Sequence, residues 1–256
     1  PEDWAHINDV DHLPDGRIMV SLRNQDQVVF IDPGSGLQEN WTLGSEDDYD
    51  ILYEQHNPDY IPESQGGPAV VVADSETGRV VEYQREDGEW SQSWAWSDAR
   101  MQWPRDADRL PNGHTLVTDT HGSRLLEIAP EGSVVWSVDL AHPYDVERLG
   151  TGEDSAGGPS AVSAGLESST GGGPGAESGG FDFFGVLDWP GALIEAIVPP
   201  WVLNGLYYVA PIWMGSTQFA ALGVGLLVAV AWPLAEIRWR FPGLSVRSPI
   251  TLGDDE

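Results

Sequence analysis

Trp103-Pro104-Arg105-Asp106-Ala107-Asp108-Arg109-Leu110-Pro111-Asn112-Gly113-His114-Thr115-Leu116-Val117-Thr118 opens a segment that continues to Val138. Three short runs in it, residues 114–118, 124–128 and 134–138, are rich in Leu, Ile, Val, Thr or Trp and have the side-chain chemistry of strands. Pro111-Asn112-Gly113 and Pro130-Glu131-Gly132 separate them, each pairing a preset φ with a residue that tolerates φ > 0, and His121-Gly122-Ser123 supplies another break. With residues 106–110 ahead of the first turn, the segment holds four short strands in about forty residues, the length of one propeller blade.

The unit recurs. Asp9-Val10-Asp11-His12-Leu13-Pro14-Asp15-Gly16 lies 97 residues before Asp106 to Gly113 and matches it in pattern throughout. Half that distance holds a further copy, Asn57-Pro58-Asp59-Tyr60-Ile61-Pro62, 48 residues after the first and 49 before the third. A partial copy, Asp145-Val146-Glu147-Arg148-Leu149, follows 39 residues after Asp106. Downstream runs at 28–32, 79–83 and 124–128 recur as well, with Trp41, Trp94 and Trp136 closing the units. The fold class expected is all-β: about three blades and one strand of a β-propeller over residues 1–150, with an antiparallel sandwich as the alternative. Within the first unit, strands are expected at 10–13, 18–23, 27–32 and 40–43. Because the chain opens inside a repeat, further blades are expected upstream, in a longer parent protein.

Forty-one acidic residues oppose twelve basic ones for a net charge of −29, and every base is arginine. Such a surface stays hydrated and soluble when molar salt screens its self-repulsion, so the sequence reads as salt-adapted. Nucleic acid is excluded as a partner, since nothing in the chain can neutralise a row of phosphates. With no cysteine, disulfides, thiolate metal sites and thiol catalysis are unavailable. Gly-x-Ser-x-Gly and phosphate-binding loops are absent, and neither cofactor nor metal is expected. Asn40-Trp41-Thr42 fits the glycosylation acceptor pattern, which matters only on an extracellular face.

After Gly150 the composition changes. Residues 151–180, dominated by Gly, Ser, Ala and Glu, are expected to be a flexible linker with a reach of about 30 Å. Residues 181–214, rich in Trp, Tyr and Pro, are expected to lie on a membrane as an interfacial segment. Residues 215–235 lack charge and are long enough for a transmembrane helix. Arg238, Arg240 and Arg247 follow it, so residues 236–256 are expected as a short cytoplasmic tail and the repeats outside the cell.

His6 and His56 stand at the starts of the first and second units, and Arg23 ends the second strand of the first, in Ser21-Leu22-Arg23-Asn24. Innermost strands of a propeller face its central channel, so the three can converge there as a nucleophile or base with a cationic clamp for an anion. Arg105 holds the place of His56 in the third unit. The bland reading of each histidine is a strand-end side chain bonded to loop backbone. His12, His114, His121 and His142 read as turn or surface positions. Asp9 with Asp11 and Asp106 with Asp108 alternate along a strand; a metal-dependent enzyme would use them, but they recur with the fold and read as structural acceptors.

Asp3-Trp4-Ala5-His6-Ile7-Asn8, Pro14-Asp15-Gly16, Val20-Ser21-Leu22-Arg23, Gln55-His56 and Leu110-Pro111-Asn112-Gly113-His114-Thr115-Leu116-Val117 together resemble the arylsulfotransferase family of β-propellers. The resemblance extends from Asp3 to about Leu149. It implies a six-bladed ring and a ping-pong transfer of a sulfuryl group from an aryl sulfate to a phenol, without a nucleotide sulfate donor. It further implies that His56 is the nucleophile, that Arg23 holds the sulfuryl oxygens and that His6 serves the phenol oxygen. Asn57 follows His56 where the family usually has Asp, which leaves the orientation of the ring to be found. A further family histidine belongs to an earlier blade, so the segment alone is expected to be inactive. The alternative function is a non-catalytic, membrane-tethered extracellular propeller that binds a ligand or partner protein. Oligomeric state is not legible.

Overall fold

A computed structural model describes residues 3–98, 100–150, 157–172 and 216–240, together with Val198, Val202 and Gly205. Each repeat unit folds as one antiparallel sheet. The first joins β1 (Ile7–His12), β2 (Ile18–Leu22), β3 (Gln27–Asp32) and the short β4 (Gly36–Leu37), with β5 (Leu43–Gly44) also paired to β3. The second is β6 (His56–Ile61), β7 (Ala69–Asp74), β8 (Arg79–Glu86) and β9 (Glu89–Asp98). The third is β10 (Pro104–Arg109), β11 (Thr115–Asp119), β12 (Arg124–Ile128) and β13 (Val134–Asp139). Each sheet is a meander whose first strand lies innermost, and β10 packs against both β6 and β7 of the preceding sheet. These are blades of a β-propeller.

Alternation in the sequence decides which neighbour each blade face meets. In the second blade Val70 and Val72 of β7, Val81 and Tyr83 of β8 and Ala95 of β9 enter the core shared with the first blade, beside Met19, Val28 and Phe30. Their chain neighbours Val71, Val80, Trp94 and Trp96 point the other way, onto Ala107, Val117 and Leu126 of the third blade. A period of two thus builds two cores from one sheet. Burying a side chain of this size contributes about 1.5–3 kcal/mol, and truncating Trp94 to alanine should cost about 3–5 kcal/mol.

The strands differ from expectation at their ends. β1 begins at Ile7 and β10 at Pro104, ahead of the apolar runs that announced them, because the Asp residues at the channel are still carried by ladder pairing. Residues 40–43 are not a strand: Glu39–Trp41 forms a 3-10 turn, and only Leu43 and Gly44 pair with β3. Residues 144–149 form no strand among the described residues, yet the Val146 N–H donates to Asp106 Oδ2 at 2.9 Å.

The linker expected over 151–180 is not free along its whole length. Residues 157–172 are a strap bound to the second and third blades. Ser160 caps the single-turn helix α1 (Ala161–Ala164), its Oγ accepting the Ser163 N–H at 3.2 Å while its own N–H donates to Gln65 O at 2.9 Å. β14 (Ser169–Gly172) then adds to the outer edge of β9 as a parallel fifth strand. Composition alone concealed this, because the strap is held by partners supplied from the blades. Glu82, fully buried, accepts the Ala161 N–H at 2.8 and 3.1 Å and pairs at 3.0 Å with the equally buried Arg109. Arg109 also donates to Pro159 O at 3.1 Å and lies over the Trp94 ring. Removing either member of such a pair strands a buried charge, at a cost of about 3–5 kcal/mol. Gly158 is required for close approach, since a Cβ there would lie 2.4 Å from Leu110 O.

The apolar C-terminal stretch forms a 25-residue helix, α2 (Ser216–Arg240). Residues 221–240 are long and apolar enough to cross a membrane by length and composition, with mean hydropathy 1.6 and no part buried in the molecule. The helix outruns the expected span of 215–235, continuing into the arginine-bearing tail, where Arg240 Nε donates to Glu236 Oε1 at 2.7 Å. The interfacial segment expected at 181–214 falls outside the described residues except at Val198, Val202 and Gly205, as does the tail beyond 240.

Candidate active site

The same backbone device prepares the inner strand of every unit. His6, Glu54, Trp103 and His142 all adopt positive φ, at 43°, 48°, 55° and 49°, a region that non-glycine residues enter only at a cost of order 1 kcal/mol or more. Two residues later the ladder is irregular. Asn8 is unmatched between the pairs Ile7↔Leu22 and Asp9↔Ser21, and Arg105 between Pro104↔Asp119 and Asp106↔Thr118. His56 pairs with Ala73 just before the irregularity that ends at Asp59↔Val71. A bulge re-aims the side chain it carries, so Asn8, His56, Arg105 and Tyr144 hold corresponding positions, each immediately before the repeated Asp or Asn.

His56 is the most enclosed of the four, with only 2% of its surface exposed. Its Nδ1 lies 2.8 Å from Ser75 Oγ, and its ring meets Trp103 edge-on at 5.8 Å and Tyr144 at 6.3 Å. Burial drives its pKa down to about 2, reinforced by the guanidinium groups of Arg105 and Arg23 and partly opposed by the Glu54 backbone carbonyl. The imidazole is therefore neutral, with its nitrogen lone pair available at neutral pH.

The structure brings the expected residues into one neighbourhood. Arg23 follows β2 directly, in the first position of a 3-10 turn. Its N–H donates to His6 O at 3.2 Å, and its guanidinium is held by the Glu54 carboxylate and by Asn24 Oδ1. His6 is half exposed, its Nδ1 2.7 Å from Asp3 Oδ2 while its backbone N–H donates to Asp3 Oδ1 at 3.0 Å. Arg23, Arg105 and His6 all act electrostatically on His56. Asn8 Nδ2 donates to Gln55 O at 2.8 Å, which ties the first blade to the residue preceding His56.

Arg105 was matched to His56 from the repeat, but its aromatic partners and several other members of the site were not singled out from sequence. The Arg105 guanidinium lies 3.9 Å from the centre of the Trp103 ring and 4.6 Å from that of Tyr144. His121, read as a turn residue, stacks on Trp103 at 4.3 Å and faces His142 at 5.8 Å. Ser75 stands where Arg23 and Thr120 stand in their own units, one residue after the second strand. The positive-φ residues were the available signal, since Trp103 and His142 share the place of His6 in the repeat. Below this cluster Asp9, Asp11, Asn57, Asp59, Asp106, Asp108 and Asp145 line a cavity of about 90 Å³. Among the described residues no group of three or more acids and histidines is placed to hold a metal ion.

A neutral imidazole under the charge of two guanidinium groups, with Trp and Tyr against its ring, suits an anion that carries an aromatic ring. Residues 1–141 match the family model described as Arylsulfotransferase (ASST). No curated protein sequence matches the chain. Among solved structures the chain is similar to virginiamycin B lyase from Staphylococcus aureus, at 10% identity and a TM-score of 0.39 over 54% of this chain and 42% of that one. It is also similar to the periplasmic gluconolactonase PpgL of Pseudomonas aeruginosa, at 16% identity and a TM-score of 0.45 over 56% of this chain and 42% of that one. The chain thus spans less than half the length of either.

Proposed function

Because this chain belongs to the arylsulfotransferase (ASST) family, we propose that it carries the nucleophilic half of a sulfuryl-transfer site, in which His56 passes the group from an aryl sulfate to a phenol. The observation that carries this reading is the state of His56: buried, neutral and within the electrostatic reach of both Arg23 and Arg105. In the first step the free nitrogen of His56 attacks sulfur, an N–S bond forms and the aryl S–O bond breaks. Arg23 and Arg105 hold the sulfuryl oxygens, their planar forks suiting a tetrahedral oxyanion. The departing aryl oxygen takes a proton from a ring nitrogen of His6, which Asp3 orients. In the second step a phenol returns a proton to His6 as its oxygen attacks sulfur, the N–S bond breaks and neutral His56 is regenerated. No metal, nucleotide or redox partner enters this balance.

The remaining features support a location at the outer face of a membrane. Helix α2 serves as a membrane anchor, the arginines beyond its apolar stretch keep the C-terminus in the cytoplasm, and the propeller stands outside the cell. The net charge of −29 over the whole chain suits it to high salt. The decisive test is turnover of an aryl sulfate by the whole protein in molar salt, with a phenol acceptor, for the native form and for His56→Ala. A sulfuryl adduct on His56 when acceptor is withheld, and lost turnover in the variant, are the expected results. A folded native protein that turns over no aryl sulfate would leave a ligand-binding propeller in place of the enzyme.

A further inference from the structure

We propose that Ser75 fixes the tautomer of His56, holding a proton on Nδ1 so that Nε2 is the nitrogen that attacks sulfur. This rests on the transferase reading for its consequence, but not for its structural content. A serine hydroxyl has one proton to give. Ser75 Oγ lies 2.7 Å from Pro104 O, a carbonyl that can only accept, so the serine proton occupies that bond. The 2.8 Å contact between Ser75 Oγ and His56 Nδ1 then requires its proton from the imidazole. It is the ring's hydrogen bond to a side chain, and the Glu54 backbone carbonyl also acts on the ring.

The third blade supports the assignment of the serine proton. Thr120, at the position equivalent to Ser75, donates its hydroxyl to Pro143 O, also at 2.7 Å. In both cases the hydroxyl at the end of a second strand reaches the proline that precedes the channel position of the next unit, Arg105 in one and Tyr144 in the other. Ser75 alone has a histidine on its second side. Its two contacts link His56 of the second blade to the main chain beside Arg105 of the third, so the nucleophile's tautomer is set by the joint between blades. Asn57 follows His56, and the orienting task that a carboxylate could perform there falls to Ser75.

The test needs no substrate. The full chain, ¹⁵N-labelled in its six histidine rings, is examined by long-range ¹⁵N–¹H correlation, with His56→Gln identifying the ring of interest. The expected spectrum shows His56 protonated at Nδ1 and bare at Nε2, with Ser75→Ala moving it toward the Nε2–H form and Ser75→Thr retaining the native pattern. A native ring protonated at Nε2, or an unchanged Nδ1–H signal in Ser75→Ala, overturns the proposal; should the alanine variant fail to fold, the native spectrum decides alone. With an active whole protein, Ser75→Ala is expected to lower kcat roughly tenfold at unchanged KM, and Ser75→Thr to restore it. Absence of turnover in the native protein would count against the transferase reading while the tautomer stood.

Discussion

His6 and His56 stand at the inner edges of adjacent blades, and their surroundings could hardly differ more. His6 is half exposed and leans on the carboxylate of Asp3. His56 is sealed under Trp103 and Tyr144, faces two guanidinium groups and touches a hydroxyl instead of a carboxylate. Burial and nearby cations forbid the charged imidazolium at His56. In the proposed mechanism one repeat provides two histidines for two tasks: the first to carry a proton, the second to offer a lone pair.

The largest effect should come from the second. His56→Ala is expected to reduce aryl-sulfate turnover by about a thousandfold or more, to the background of the remaining site, read as initial rates of phenol release. If His56→Ala retained more than a tenth of native turnover, the division of labour would be lost. Arg23→Ala should cost about 10²–10³-fold in kcat, and Arg23→Lys should recover little of it, because charge without the planar fork fits the sulfuryl oxygens poorly. His6→Gln should cost about 10²-fold with poor leaving groups and far less with a nitrophenyl sulfate, whose oxygen needs no proton. An equal loss across leaving groups would deny His6 the proton-transfer task.

The smallest effect is on stability and carries a definite sign. The folded-state pKa of His56 is about 2, below its unfolded value of 6.5. Between those limits the unfolded chain binds a proton that the folded chain refuses, so stability falls as pH falls, by roughly 1 kcal/mol per pH unit from this group. Above pH 6.5 the contribution is flat. Denaturant midpoints measured from pH 7 to pH 4 should show this slope, and His56→Gln should reduce it. An unchanged slope would mean that the ring is protonated in its pocket.

Much of this architecture was legible in the sequence because it is repeated. The Asp-x-Asp-x-Leu-Pro-x-Gly pattern marks an inner strand and its turn, and aligning its copies placed His56 opposite Arg105 before any coordinates were considered. What escaped was contact between units. Ser75 is an ordinary hydroxyl at a strand end until Pro104 and His56 are brought to either side of it. Residues 157–172 look solvated by composition, since the Glu82 carboxylate and Arg109 guanidinium that hold them lie 50 residues or more away in sequence. The same averaging made a strand of residues 40–43, where the chain instead turns to place Trp41 against Phe30 at 5.5 Å.

The strap has a mechanical consequence. β14 runs parallel to β9, with pairs Ser169↔Trp96, Thr170↔Ser97 and Gly172↔Asp98. A pull on the chain beyond Gly172 along the strand axis loads these bonds together, in shear, instead of peeling them one after another. The load passes from β14 into β9 and the four-stranded sheet behind it, while the Glu82 anchor at Ala161 lies farther up the chain. Tension arriving from the C-terminal side is thus spread across the rim of one blade before it reaches the joint on which His56 and Ser75 depend.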